Sequence, residues 1–338
     1  MQPPVTQRQV LLAARPRGPV GSEHFRVAEG AVRPPGEGEV LLRNRLLSID
    51  PAIRGWMVDG NSYMPPIGIG QPIRSGVLGQ VVASRRAGVD VGDHVVALAA
   101  WEEWSTVGPR GLVRSLGPSY DLPLACALSV AGGNGLAAYF GLLDVGRPVE
   151  GETLLVSAAA GGVGSVVGQL GRRVGCRVVG IAGGAAKCRY LVDSLGFDEA
   201  IDRHARGDLA GAIREACPGG VDVYFDTVGG RMLEAAIDNL AVGARVVLCG
   251  AIAQLESTQR PPGPSNLVRL LTQRAHMQGF VSMDYRDRWP EASAQLEAWV
   301  REGVLCHREH RIRGLEQAPA ALRLLLDGGN LGKVVVAL

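Results

Sequence analysis

The stretch TLLVSAAAGGVGSVVGQLG, residues 153 to 171, changes character twice. An apolar run breaks into small residues and glycines, then becomes small and apolar again. The first part reads as a buried strand and the last as a helix. Between them Ala158, Gly161 and Gly164 form the pattern A-x-x-G-x-x-G. A phosphate at such a turn meets free backbone N–H groups and the positive end of a helix dipole. A side chain at Gly161 would hold a pyrophosphate away, and Gly164 lets the helix lie close on the strand. Gly161, Gly162, Val163 and Gly164 are therefore candidates for holding a dinucleotide.

The surroundings strengthen this reading. Downstream, short apolar strands alternate with helical stretches: RVVGIAG, a helix from about Ala185 to Leu195, then EAID, VDVYFDTV, ARVVLCG and MQGFV. Such alternation indicates a parallel sheet with covering helices. Upstream of residue 125 the texture differs. EVLLRNRLLSID (39–50), GVLGQVVAS (76–84) and DHVVALAAWEEWSTV (93–107) sit between Gly and Pro clusters, which suggests a barrel-like antiparallel domain. EASAQLEAWVREG (291–303) is amphipathic, and LGKVVVAL (331–338) ends the chain as a strand.

The second strand of the series bears on the choice between NAD and NADP. A fold preferring NAD places Asp or Glu near its end, to accept from the ribose hydroxyls. Here the sequence is VVGIAGGAAKCR (178–189), with no acid between Gly175 and Lys187. Gly183 and Gly184 leave room for a ribose phosphate, and Lys187 and Arg203 could neutralise it. The residues favour NADP.

Composition excludes several classes. The 338 residues are 46% hydrophobic and 20% charged, enough for sizeable cores, and the net charge of +2 gives no reason to expect nucleic acid as a partner. No charge occurs between Asp121 and Asp144, but Pro123, Gly132, Gly133, Asn134 and Gly135 interrupt that segment, so a buried junction is expected rather than a membrane span. The N-terminal residues do not read as a signal peptide. The six cysteines are scattered with no C-x-x-C, which suggests reduced thiols in a cytoplasmic protein. Of the six histidines only His307 and His310 lie close in sequence, and a polar surface turn explains them better than a metal does. With no metal set and no G-x-S-x-G elbow, hydride transfer from a nicotinamide is the expected chemistry.

The chain resembles the zinc-independent medium-chain dehydrogenases/reductases of the prostaglandin reductase, alkenal reductase and curcumin reductase group. The resemblance spans nearly the whole chain. It rests on LSIDPAIRGWM (47–57), SYMPP (62–66), LAAYFGLL (136–143), the glycine turn, GCRVVGIAGGAAKCRYLVDSLGFDEAID (175–202), VDVYFDTVGG (221–230), CGAI (249–252), PPGP (261–264), QGFV (278–281) and GGNLGKVVV (328–336). It implies an α/β fold: a GroES-like barrel domain over residues 1–127 and 307–338, and a Rossmann doubly wound parallel-sheet domain over 128–306. It implies NADPH-dependent reduction of the carbon–carbon double bond of α,β-unsaturated ketones and aldehydes, by a homodimer. Lys187 would meet the ribose phosphate, and Cys249, Gly250, Ala251 and Ile252 would line the dinucleotide. Phe280 and Val281 would hold the carboxamide through their backbone, and Asn330 would reach back to the cofactor.

Several positions depart from the group. Arg203 and Leu255 stand where it usually has Tyr, Thr227 where it has Asn, Ala52 where it often has a large residue, and Ala137 where it has Thr. The substrate space has lost phenol and hydroxyl donors, which leaves Tyr63 as the candidate donor to an enolate oxygen or carbon. The bland alternative for Tyr63 is packing beside Pro65 and Pro66. Two other functions stay open at this level: a quinone or biosynthetic-intermediate reductase with a reshaped pocket, and an NADP-binding sensor or partner protein with little catalysis.

Overall fold

The β-type runs and the βα alternation correspond to two different sheets in the computed structural model of the chain, which describes residues 3–60, 62–109, 111–205, 207–259 and 261–338. The chain divides into two units, Met1–Ser129 with Glu309–Leu338, and Val130–Arg308.

The first unit contains β1 (Thr6–Leu12), β2 (Phe25–Ala31), β3 (Val40–Ser48), β4 (Arg74–Ser84), β5 (His94–Ala100), β6 (Trp104–Val107) and β7 (Leu112–Gly117). The second contains β8 (Thr153–Val156), β9 (Arg177–Ala182), β10 (Glu199–Asp202), β11 (Val221–Asp226), β12 (Leu240–Leu248) and β13 (His276–Gly279). The chain then returns to the first unit with β14 (Glu309–Arg313) and β15 (Lys333–Ala337).

In the first unit β1 and β2 form an antiparallel pair, and a larger sheet runs β14-β15-β3-β4-β5-β7 with β6 also on β3. All its pairs are antiparallel except β14 with β15. The run expected over 93–107 is two strands. β5 pairs with β4, β6 pairs with β3, and the change of partner falls at Trp101, whose ring is fully buried beside Phe25. Leu12, Ile49, Met57 and Ile73 share that core.

The second unit's sheet is parallel throughout, in the order β10-β9-β8-β11-β12-β13. The strands proceed outward from β8 to one edge, then from β11 to the other. The order therefore reverses between β8 and β11, and such a reversal opens a crevice at the carboxyl ends of the strands. The helix Gly164–Val174 lies on this sheet with Gly164, Gly168 and Gly171 against it. A Cβ on Gly164 would fall 2.7 Å from the Ala158 carbonyl oxygen and 2.8 Å from the Ala159 Cα. Cβ atoms on Gly168 and Gly171 would enter Phe197 and Leu154. The helix expected from Ala185 to Leu195 is α-helical only over Ala185–Arg189 and continues as a wider π turn over Tyr190–Ser194.

The uncharged segment folds as Leu124–Leu128 and Gly133–Tyr139, followed by a π turn, Phe140–Gly146. Among the described residues no helix is long and apolar enough to cross a membrane.

Candidate active site

The glycine turn lies at the carboxyl end of β8. Its backbone is sharply folded: Ala158 has φ +43, and its carbonyl accepts from the Gly161 N–H at 2.9 Å. Ala159 N–H bonds to the Ile181 carbonyl of β9 at 3.0 Å, so the turn is tied to the neighbouring strand. No side chain caps the N-terminus of the helix that follows and no acid sits in its first turn. The N–H groups of Ser165, Val166 and Val167 already bond to the Gly161 and Val163 carbonyls, so the helix dipole and the turn's own backbone are what this end offers an anion. A Cβ on Gly161 would lie 3.1 Å from the Ala158 oxygen and meet nothing else. The open side of the turn suits a phosphate, and only small residues keep it open.

The next two strands build a cationic end. Lys187 is half-buried in the helix after β9, and Arg203 follows β10. Burial lowers the Lys187 pKa, and the nearby Arg203 charge lowers it further. Two cations brought this close favour an anion near them. Gly183 leaves the space: a Cβ there would lie 2.9 Å from the His204 ring and 3.1 Å from Arg203 Nε. Asp202, which the sequence reading passed over, organises this corner. Its Oδ1 accepts from the N–H groups of Gly184 at 2.7 Å and His204 at 2.9 Å. Those bonds hold its pKa below the usual carboxylate range.

The opposite half of the sheet forms a cleft of about 600 Å³. Cys249, Gly250, Ala251, Phe280 and Val281 line it, together with Asp226. Phe280 turns its ring into the interior, edge-on to Phe225 at 6.5 Å and against Gly141, where any Cβ would enter the ring. That leaves its backbone for the cleft. Ile252 is not part of this lining. It starts a 3-10 turn, Ile252–Gln254, with its N–H on the Thr227 carbonyl at 3.2 Å. Burial raises the Cys249 thiol pKa to about 12, with Asp226 adding to the rise. The thiol is therefore protonated and weakly nucleophilic.

At the reversal point lies a buried polar network that the sequence reading missed. The Asp226 carboxylate accepts from Tyr224 Oη at 2.9 Å, Ser157 Oγ at 3.2 Å, Val228 N–H at 2.9 Å and Gly229 N–H at 3.0 Å. The Ser157 hydroxyl also accepts from the Thr227 N–H at 2.8 Å and lies 3.3 Å from the Thr227 hydroxyl. Burial raises the Asp226 pKa against the pull of these donors, and pushes the Tyr224 phenol well up.

The first unit carries the remaining candidates. Tyr63 is 53% exposed, edge-on to Trp56 at 6.3 Å. Arg74 lies 5.9 Å above the Trp56 ring and donates to the Pro65 carbonyl at 2.8 Å, bracing the SYMPP loop. Asn330 is buried and its amide donates to the Gly332 carbonyl at 2.7 Å, so part of its bonding capacity stays within its own turn. Beside it Lys333 is buried with its ammonium on the Ile49 carbonyl at 2.8 Å and on the Asp50 carboxylate. That pair joins the start of β15 to the segment leading into Ala52. Burial lowers the Lys333 pKa and Asp50 opposes the shift. Among the described residues no group of three or more His, Cys, Asp or Glu is placed to hold a metal ion, and His310 lies within β14 rather than in a turn.

Comparison with known proteins places this architecture. Residues 8–115 match the model of an N-terminal domain of oxidoreductase, and residues 162–298 match the model described as zinc-binding dehydrogenase. The NADPH-dependent curcumin reductase of Escherichia coli is 43% identical over 334 residues, covering 97% of this chain and 96% of that protein. The NADP(+)-dependent 2-alkenal reductase of Nicotiana tabacum is 35% identical over 339 residues, covering 98% and 97%. The crystal structure of CurA from Vibrio vulnificus in complex with NADPH aligns with a TM-score of 0.91 at 43% identity, covering 98% of each chain. The chain belongs to the medium-chain dehydrogenases/reductases, in the group that contains the curcumin, alkenal and prostaglandin reductases.

Proposed function

We propose that the chain is an NADPH-dependent reductase of the carbon–carbon double bond of α,β-unsaturated ketones and aldehydes. The observation that carries the reading is the charge and shape of the β8–β10 edge: an open glycine turn at an uncapped helix, and then Lys187 beside Arg203. The relatives at 35–43% identity supply the reaction class. When bound, the cofactor supplies hydride to the β-carbon. The residues of this chain do the rest. The glycine turn and helix end hold pyrophosphate. Lys187 and Arg203 hold the ribose phosphate. The backbone of Phe280 and Val281 orients the carboxamide, and Asn330 adds a contact to the cofactor.

Negative charge then develops on the carbonyl oxygen, and Tyr63 donates to it or to the α-carbon. Leu255, Ala52 and Ala137 offer no such proton. We extend the proposal to zinc-independent catalysis in the cytoplasm. The enzyme is a homodimer in this reading. Its support is that β13 is an edge strand of the parallel sheet, where a second copy could pair, and that Val268 and Leu271 on the helix before it are 63% and 76% exposed. Light scattering should give twice the 35.5 kDa chain mass, and a monomer at micromolar concentration would contradict the dimer. The activity itself is tested by NADPH oxidation with a panel of enones, quinones and saturated aldehydes. Enones should be consumed and saturated aldehydes left untouched.

A further inference from the structure

The wall of the nicotinamide-side cleft carries two carboxylates, Asp226 and Asp284, and none of the described residues lining it is Lys, Arg or His. Asp226 is the unusual one. It is fully buried, yet no cation pairs with it among the described residues, and every partner of its carboxylate is a neutral donor. Its main-chain oxygen meanwhile accepts from Cys249 N–H at 2.8 Å and Gly250 N–H at 3.2 Å, which ties it to the backbone lining the cleft. A buried charge held only by dipoles is costly to keep, and its field is weakly screened.

We infer that Asp226 is an electrostatic partner of the oxidised nicotinamide, stabilising the positive charge that hydride loss leaves on the ring. This rests on the dinucleotide reading above and goes beyond it. In the reaction a C–H bond of the reduced ring breaks, its electron pair forms the new C–H bond at the substrate β-carbon, and the α-carbon takes a proton. The ring changes from neutral to cationic. A fixed carboxylate beside the cleft favours that change, so the bound cofactor is a stronger hydride donor than it would be beside a neutral wall. Asp226 acts here through the field it sets up and not by contact with substrate; it is a positioning residue for charge.

A purely structural role is the competing account, because Asp226 also satisfies the turn before the helix Gly230–Ile237. The two accounts separate at Asp226→Asn. Four of the five donor contacts fall on Oδ1, which an Asn carbonyl oxygen reproduces, and only the longer Gly229 contact to Oδ2, 3.1 Å, is lost. Asp226→Ser is the second variant, since serine keeps an acceptor for the turn. The measurement is the dissociation constants of NADPH and of NADP+ for wild type and both variants, by cofactor and tryptophan fluorescence. Neutralising the charge should weaken NADP+ relative to NADPH roughly tenfold, equivalent to about 30 mV in the bound two-electron couple. An unchanged ratio in either folded variant would overturn the inference. Wild type that binds neither form would instead overturn the dinucleotide reading.

Discussion

The two ends of the parallel sheet's carboxyl edge are built from opposite charges. The β9–β10 end gathers Lys187 and Arg203, with Asp202 committed to backbone N–H groups. The β11–β13 end buries Asp226 in a cleft whose other lining is mostly apolar side chains and glycines, with Gln254 and Asp284 as its other polar side chains among the described residues. The difference separates two tasks. In the proposed function, charge pairing at the first end would select and hold an anionic handle away from the chemistry. The second end would face a ring whose charge changes, and it is built from backbone, packing and a carboxylate the solvent does not reach. Binding energy spent at the first end is uniform through the reaction, whereas a field at the second end acts on the barrier.

The sharpest way to break this contrast is to discharge the first end. Lys187→Ala with Arg203→Ala should weaken NADPH by at least about a hundredfold, from two charge-assisted contacts at about 1.5–3 kcal/mol each. NADH should change by no more than about twofold, because it lacks the 2′-phosphate. Equal wild-type affinity for the two cofactors, measured by fluorescence titration, would remove the cationic end from the account.

A second variant asks whether the proton and oxyanion chemistry belongs to the first unit. Tyr63→Phe should lower enone turnover about a hundredfold, near 3 kcal/mol, while leaving NADPH affinity unchanged. Wild-type turnover in Tyr63→Phe would reduce Tyr63 to a ring packed on Trp56. Leu255→Tyr, measured beside it, then reports whether the donor missing at that position matters more.

A pH titration gives a smaller effect. The Lys187 pKa is lowered in the free protein, first by burial and then by Arg203, and a bound phosphate raises it. NADPH affinity is therefore complete below the free-protein pKa, where Lys187 is already charged. It declines, by roughly tenfold or less, as pH rises from there toward the pKa of the complex. NADH affinity should stay flat across the same range, and parallel decline of both would show that Lys187 does not face the phosphate.

Much of the cationic end was legible in the sequence because its signals are local. The glycine turn, the absence of an acid before Lys187 and the alternating strands all lie within short windows, where backbone requirements dictate residue type. The carboxylate end was largely hidden. Ser157 and Asp226 are 69 positions apart, and nothing in VDVYFDTVGG says that this particular acid is buried and unpaired by cations. The hairpin of β1 and β2 was missed for a related reason: most of β2 is only partly buried or exposed, so its residues lack an apolar alternation. The π turn at Tyr190–Ser194 left no trace because hydrogen-bond register within a helix is not a property of side-chain type. Arg203, Leu255 and Thr227 were recognisable as departures only against the family resemblance, not from spacing.

The most direct test of the reading follows the hydride itself. Incubating the enzyme with NADPH deuterated at the transferable position and a simple α,β-unsaturated ketone, then locating the label by NMR, identifies the bond reduced. The saturated ketone carrying deuterium on the β-carbon, with the carbonyl intact, is the predicted product. Deuterium on the carbonyl carbon of an allylic alcohol, or no oxidation of NADPH with any enone, would contradict the assignment of this chain as a double-bond reductase.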